Sequence, residues 1–240
     1  MNIKEIARNI LQTLHLDLTK NLEYDRLTNK IMAQVIQKDS NCIDVGCHKG
    51  EILRKMIHLA PKGKHFAFEP IPELYNKLIS EFKENAQIFP YALSYTSKTS
   101  EFVYVKNAPA YSGLKKRKYK VENPDIEILQ IQTERLDSLI KCEDKIDFIK
   151  IDVEGGEFDV LKGAEALLKR DQPIIIFECG LGSSEFYDTK PLDLFRYLSK
   201  FNYKLYTLSG YIKKKNPLRE VDFEKVYNNN SEYYFIIEVK

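Results

Sequence analysis

The stretch Ile146 to Gly163, IDFIKIDVEGGEFDVLKG, decides the fold. It opens on an apolar run too brief for a buried helix, reaches Asp152, breaks on Gly155 and Gly156, and resumes with helical spacing. That order reads strand, turn, helix. Ile43 to Glu51, IDVGCHKGE, repeats it, with Asp44 at the strand end and Gly46 and Gly50 in the turn. Two such units imply a parallel α/β sheet, whose ligands bind beyond the carboxyl ends of the strands. Asp44 with its glycine turn, and Asp152 with Glu154, are expected there.

Further strands are expected at Cys42–Val45, His65–Phe68 (ending on Glu69), Gln87–Phe89 and Pro173–Phe177 (ending on Glu178), with two closing strands at Tyr203–Leu208 and Tyr233–Val239. Pro70 to Pro72 introduces a helix bearing Leu74, Leu78 and Phe82; Phe158–Leu168 reads as one helix, and Thr189 and Pro191 start another. No clear helical pattern separates the closing strands, so they are expected to pair antiparallel. Tyr91–Ser94 reads as a turn. Glu101–Val105 and Ile126–Gln132 alternate like a hairpin inserted across residues 99–133.

Upstream, Ile3, Ile6, Ile10, Leu14 and Leu18, then Leu27, Ile31, Val35 and Ile36, give two amphipathic helices. They make residues 1–40 a flank or lid on a main domain at 41–240. The expected fold is α/β, a mostly parallel seven-stranded sheet with an antiparallel edge hairpin and helices on both faces.

With 240 residues, 43% of them hydrophobic, the chain can build a continuous core. A net charge of +2, from 37 basic and 35 acidic residues, recommends neither nucleic acid nor an anionic membrane as partner. Cys42, Cys47, Cys142 and Cys179 show neither a CxxC pair nor a zinc spacing and suit buried free thiols, which points to a reducing cytoplasm. The amino terminus, interrupted by charges, lacks the apolar stretch of a signal peptide or spanning helix, so no membrane insertion is expected.

The glycine turn discriminates among ligands. A dinucleotide fingerprint would need glycine at 48 and 51, where His48 and Glu51 stand; the bulk and the negative charge both oppose a pyrophosphate. The lysine-hydroxyl pair of a phosphate loop is also missing after Gly50. What remains suits a phosphate-free nucleoside such as S-adenosylmethionine. Glu69, roughly 20 residues past the turn, has two oxygens for the ribose hydroxyls. Amides at 46–50 suit a ligand carboxylate, and Asp44 can position its ammonium group. Cys47, His48 and Pro70, beside these residues, complete the expected contacts.

IDVGCHKGE, FAFEPIPELYNKL, YALS, SGL (Ser112–Leu114), RLDSLI (Arg135–Ile140), IDFIKIDVEGGEFDVLKGAEALL and PIIIFECG, in this order, resemble the FkbM family of S-adenosylmethionine-dependent methyltransferases. The resemblance spans Tyr24 to Glu178, and IKIDVEGGE is its most specific block. It implies a Rossmann-like class I methyltransferase acting on an oxygen of a sugar or other small hydroxylated acceptor, a sugar nucleotide included. By position it implies cofactor contacts from Asp44, Gly46, Gly50 and Glu69, with Ala92 near the adenine and Asp152 and Glu154 at the transfer site. Where the family often has Ala-Asn after the first glycine, this chain has Cys47 and His48.

Asp152 and Glu154 are therefore the expected catalytic pair, for positioning and proton acceptance. Their simpler role would be to cap the helix near Glu157. Asp152 and Glu178 lack a metal-site spacing, and no metal is expected. The cluster Lys115–Lys120, KKRKYK, reads as a solvated loop, with an anionic acceptor group as its alternative ligand. A nucleic-acid methyltransferase would show an (N/D)PP(Y/F) tetrapeptide or a Pro-Cys pair, and neither occurs. A non-catalytic nucleoside-binding protein is the remaining alternative.

Overall fold

The computed structural model describes residues 19–119 and 121–239. The first expected helix, with Ile3 to Leu18, lies outside the described residues. Helix α1 (Lys20–Val35) follows, its start held by the Thr19 side chain accepting from the Leu22 amide at 3.3 Å. Then come β1 (Cys42–Val45), α2 (Glu51–Leu59), β2 (His65–Phe68), α3 (Pro72–Phe82), β3 (Gln87–Phe89), β4 (Tyr91–Leu93), β5 (Lys98–Val105) and β6 (Ile126–Glu134). The second half contains α4 (Leu136–Leu139), β7 (Phe148–Ile151), α5 (Glu157–Gly163), α6 (Glu165–Asp171), β8 (Ile174–Glu178), α7 (Pro191–Ser199), β9 (Tyr203–Thr207), α8 (Leu208–Ile212), α9 (Glu220–Asn228) and β10 (Tyr234–Val239).

Seven strands form the main sheet in the order β3-β2-β1-β7-β8-β10-β9. The pairs β3–β2, β2–β1, β1–β7 and β7–β8 are parallel; β10 runs antiparallel to both β8 and β9. Strands β1, β2 and β7 are buried throughout, as apolar runs clothed on both faces must be. The two-residue period then sorts their side chains. Ile43, Val45, Ile149, Ile151, Ile175 and Phe177 pack under α5, α6, α7 and α9, while Cys42, Phe148, Ile176 and Ile236 pack under α1 and α2. Asp44 and Lys150 are register partners, and Tyr234 faces Glu178. By parity these four and Asp152 belong to the α1 face, so one sheet face carries five polar groups at its carboxyl end.

Three differences from the sequence reading have physical causes. Tyr91–Leu93 is not a turn but strand β4, which pairs parallel with β6, while β5 pairs antiparallel with β6 through eight register partners. The hairpin thus becomes a three-stranded second sheet, packed on α3 through Ile71, Leu74, Phe102 and Ile131. The helix expected at Phe158–Leu168 is broken at Ala164 (φ −112°, ψ 19°) because the Asp137 carboxylate, arriving from α4, accepts from the Ala166 and Leu167 amides at 3.0 Å and starts a new helix. The closing strands do pair antiparallel, yet α8 and α9 lie between them; both are short, and neither shows a long apolar stripe. Cys42, Cys47 and Cys179 are buried thiols, whereas Cys142 is exposed. Among the described residues no helix is long and apolar enough to cross a membrane.

Candidate active site

The turn after β1 is built by close approach. Gly46 has φ +78°, and a β-carbon there would fall 1.9 Å from the Asp152 carbonyl oxygen, so only glycine lets β1 end against β7. The Gly46 and Cys47 amides both donate to the Phe68 carbonyl at 3.1 Å, and the Gly50 amide donates to the Cys47 carbonyl at 2.8 Å. The His48 amide donates to Glu69 Oε2 at 2.8 Å, and the Ile71 amide to Glu69 Oε1 at 2.9 Å. The amides expected to cradle a carboxylate are therefore largely spent on the protein. In exchange, Glu69 is fixed by two bonds, each oxygen keeping one lone-pair direction open. Burial pushes the Glu69 carboxyl up to about 7, against the pull of those two amides. Burial likewise raises Asp44 to about 6, opposed by Cys47 and the Lys150 charge, and Asp44 Oδ2 is a buried acceptor without a partner.

At the end of β7 the acids divide into distinct roles. Glu157 Oε1 accepts from the Val153 amide at 3.0 Å and the Gly155 amide at 3.1 Å, so Glu157, not Asp152 or Glu154, holds the turn into α5. Asp152 Oδ2 accepts instead from Lys150 Nζ at 3.1 Å and Tyr234 Oη at 2.5 Å. Burial alone would raise Asp152, but the Lys150 charge and these hydrogen bonds hold it below the usual carboxylate range. Glu154 sits at φ +61°, a costly conformation for a glutamate, and its carboxylate pairs with Arg117. Burial and the neighbouring Asp152 charge still push Glu154 up to about 8, outweighing Arg117. Burial and the Asp152 charge also raise Glu178 well above its ordinary value. Asp152, Glu154 and Glu178 each bring a carboxylate oxygen within 4.8 Å of the other two. Lys150 and Arg117 supply positive charge to this cluster.

Two cavities meet at these acids. The first, about 180 Å³, is lined by Gly46, His48, Glu69, Pro70, Ala92 and Asp152, with Phe68, Ile71, Leu93 and Phe102 as apolar wall. Asp44, Cys47 and Gly50 lie behind that wall rather than in it, Asp44 being 2% exposed. The second, about 710 Å³, is lined by Tyr24, Tyr111, Tyr119, Tyr233, Asn21 and Asn230, among others. Ala110, Asp152 and Glu154 line both.

Sequence reasoning missed Lys150, Tyr234 and Arg117. A lysine inside the fully buried run FIKI was a visible signal, since a charge there must have a partner. Arg117 corrects the solvated-loop expectation for its cluster: its side chain is 8% exposed, and it bonds Glu154.

The strand order, the reversed β10 and the cleft over the ends of β1, β2 and β7 define a class I methyltransferase fold. The chain belongs to the methyltransferase FkbM domain family, whose profile matches residues 44–205. The methyltransferase FkbM of Methylobacillus flagellatus KT superimposes with a TM-score of 0.52 at 16% identity, covering 98% of this chain and 60% of that one. SMU.1697c of Streptococcus mutans, solved in complex with SAH, gives 0.50 at 13% identity, covering 89% and 96%. The 2-O-methyltransferase NoeI of Sinorhizobium fredii (strain NBRC 101917 / NGR234) is 24% identical over 164 residues, which span 60% of this chain and 65% of NoeI.

Proposed function

We propose that the chain is an S-adenosylmethionine-dependent O-methyltransferase for a small hydroxylated acceptor of sugar type. The observation that carries this is the meeting of two cavities at Asp152 and Glu154. The first suits the cofactor: Glu69 keeps lone pairs for two ribose hydroxyls, and Ala92 with the apolar wall suits a purine. The second suits an acceptor, because tyrosine rings and side-chain amides are the groups that bind sugar faces and hydroxyls. NoeI is a 2-O-methyltransferase, which supports oxygen as the atom methylated.

The bound cofactor would supply an electrophilic methyl group, leaving the chain to align, shield and take a proton. Asp152, tied to Lys150 and Tyr234, is placed to orient groups where the cavities join. It stays ionised, and an anion beside a sulfonium stabilises reactants more than a transition state of dispersed charge, so its contribution is positioning. Glu154 is the better base. A hydroxyl of water-like acidity, about 15.7, lies roughly 11 to 12 units above an ordinary carboxylate, about 15 kcal/mol of proton-transfer cost. Raising Glu154 to about 8 cuts that cost to roughly 10 kcal/mol. Transfer concerted with carbon–oxygen bond formation covers the remainder.

The test is formation of S-adenosylhomocysteine with a panel of hydroxylated acceptors. Turnover by the wild type and its loss in Glu154→Gln are expected. Calorimetric cofactor binding with no turnover across the panel would favour the non-catalytic binding protein, and no cofactor binding would overturn the proposal.

A further inference from the structure

The second cavity is lined by the carboxylates of Asp152, Glu154 and Glu178 and also by Arg117, Lys118 and Tyr119, with Arg117 paired to Glu154 between the two groups. In the second group two buried polar atoms have no partner, Arg117 Nε and the Tyr119 hydroxyl. Arg117 spends one terminal nitrogen on Glu154 and the other on the Gly182 carbonyl at 3.3 Å, with its guanidinium carbon 5.1 Å from the Tyr111 ring centre. The fork is split between two acceptors, and Nε is left without one. A buried donor without an acceptor is destabilising, and an acceptor atom that reached it would recover that loss. Lys115, Lys116 and Lys118 are exposed on the same loop and add positive potential at the rim of a chain that is nearly neutral overall.

We propose that the methyl acceptor carries an anionic group, a carboxylate or a phosphate, which seats against Arg117 and Tyr119 while the hydroxyl to be methylated meets Glu154. The inference rests on the methyltransferase reading above and names its substrate class.

Calorimetry on protein saturated with S-adenosylhomocysteine tests this with three matched probes: glucose, glucuronate and glucose 1-phosphate. In the wild type the charged probes are expected to bind on the order of tenfold tighter than glucose, consistent with a charge-assisted pair. Arg117→Gln should erase that preference, Arg117→Lys should restore part of it, and Tyr119→Phe should weaken it severalfold. Binding of S-adenosylhomocysteine by each variant reports that it has folded. A phosphate preferred over a carboxylate identifies a phosphosugar, and the reverse identifies a uronate. Equal binding of charged and neutral probes, absence of binding by both charged probes, or a preference that survives both Arg117→Gln and Tyr119→Phe overturns the proposal. If the wild type fails to bind S-adenosylhomocysteine, the methyltransferase reading itself fails; if it binds and the charged probes gain nothing, this inference alone fails.

Discussion

Glu69 holds the His48 and Ile71 amides with its two oxygens and also lines the first cavity, where we propose that it binds the ribose. Glu69→Ala should weaken S-adenosylhomocysteine binding on the order of 100-fold by calorimetry, the loss expected for bonds to a charged acceptor. As the proposed base, Glu154 should set the pH response. It accepts a proton only when ionised, and its carboxyl is raised to about 8, so the turnover rate should climb with pH through about 8 and level off above. Asp152, held below its ordinary value, stays ionised throughout and adds no limb. In Glu154→Gln the limb should vanish with most of the activity; an unchanged pH profile would reassign the base. Glu69, Asp152 and Glu154 were legible in the sequence because each stands at a strand end or in the turn that follows it. Arg117 was not legible, because no local pattern shows that one residue of a basic run folds back under burial.

At the level of elements, two short turns hold the site, and each depends on one contact. The turn from β7 into α5 relies on Glu157, 2% exposed, accepting from the Val153 and Gly155 amides. Glu157→Ala would leave those donors unpaired, and denaturant unfolding should show a loss of about 2–4 kcal/mol with an unchanged slope. The turn from β1 into α2 relies on Gly46. Gly46→Ala combines a backbone conformation that alanine resists with a steric overlap against Asp152, and should abolish cofactor binding while costing about 3 kcal/mol or more. Retained binding in Gly46→Ala would mean that β1 and β7 are not pinned together there. Buried strands were readable because unbroken apolar runs such as CIDV and HFAF leave few other options. Strand β4 was not, because three residues carry too little period and its pairing with β6 is set by partners 41 positions away (Tyr91 with Gln132). The break between α5 and α6 was hidden for a similar reason, since the capping carboxylate comes from Asp137.

Across the whole molecule, the sheet order follows from a few local facts compounded: parallel strands fed by glycine turns at β1 and β7, and a last strand reversed between β8 and β9. That order delivers Asp44, Lys150, Asp152, Glu178 and Tyr234 to one end of one sheet face, although they span most of the sequence. The second cavity is assembled from α1, the loop after β5, the segment after β8 and the start of β10. No single stretch carries its pattern, so the residues that line it come together only in three dimensions. In the proposed mode of action the cofactor occupies the first cavity and presents its methyl group where the two cavities join. The direct measurement is a crystal structure with S-adenosylhomocysteine. Ribose hydroxyls on Glu69, the purine beside Ala92 and the sulfur facing the Asp152–Glu154 junction are expected; the ligand seated in the second cavity, or its ribose away from Glu69, would overturn this placement.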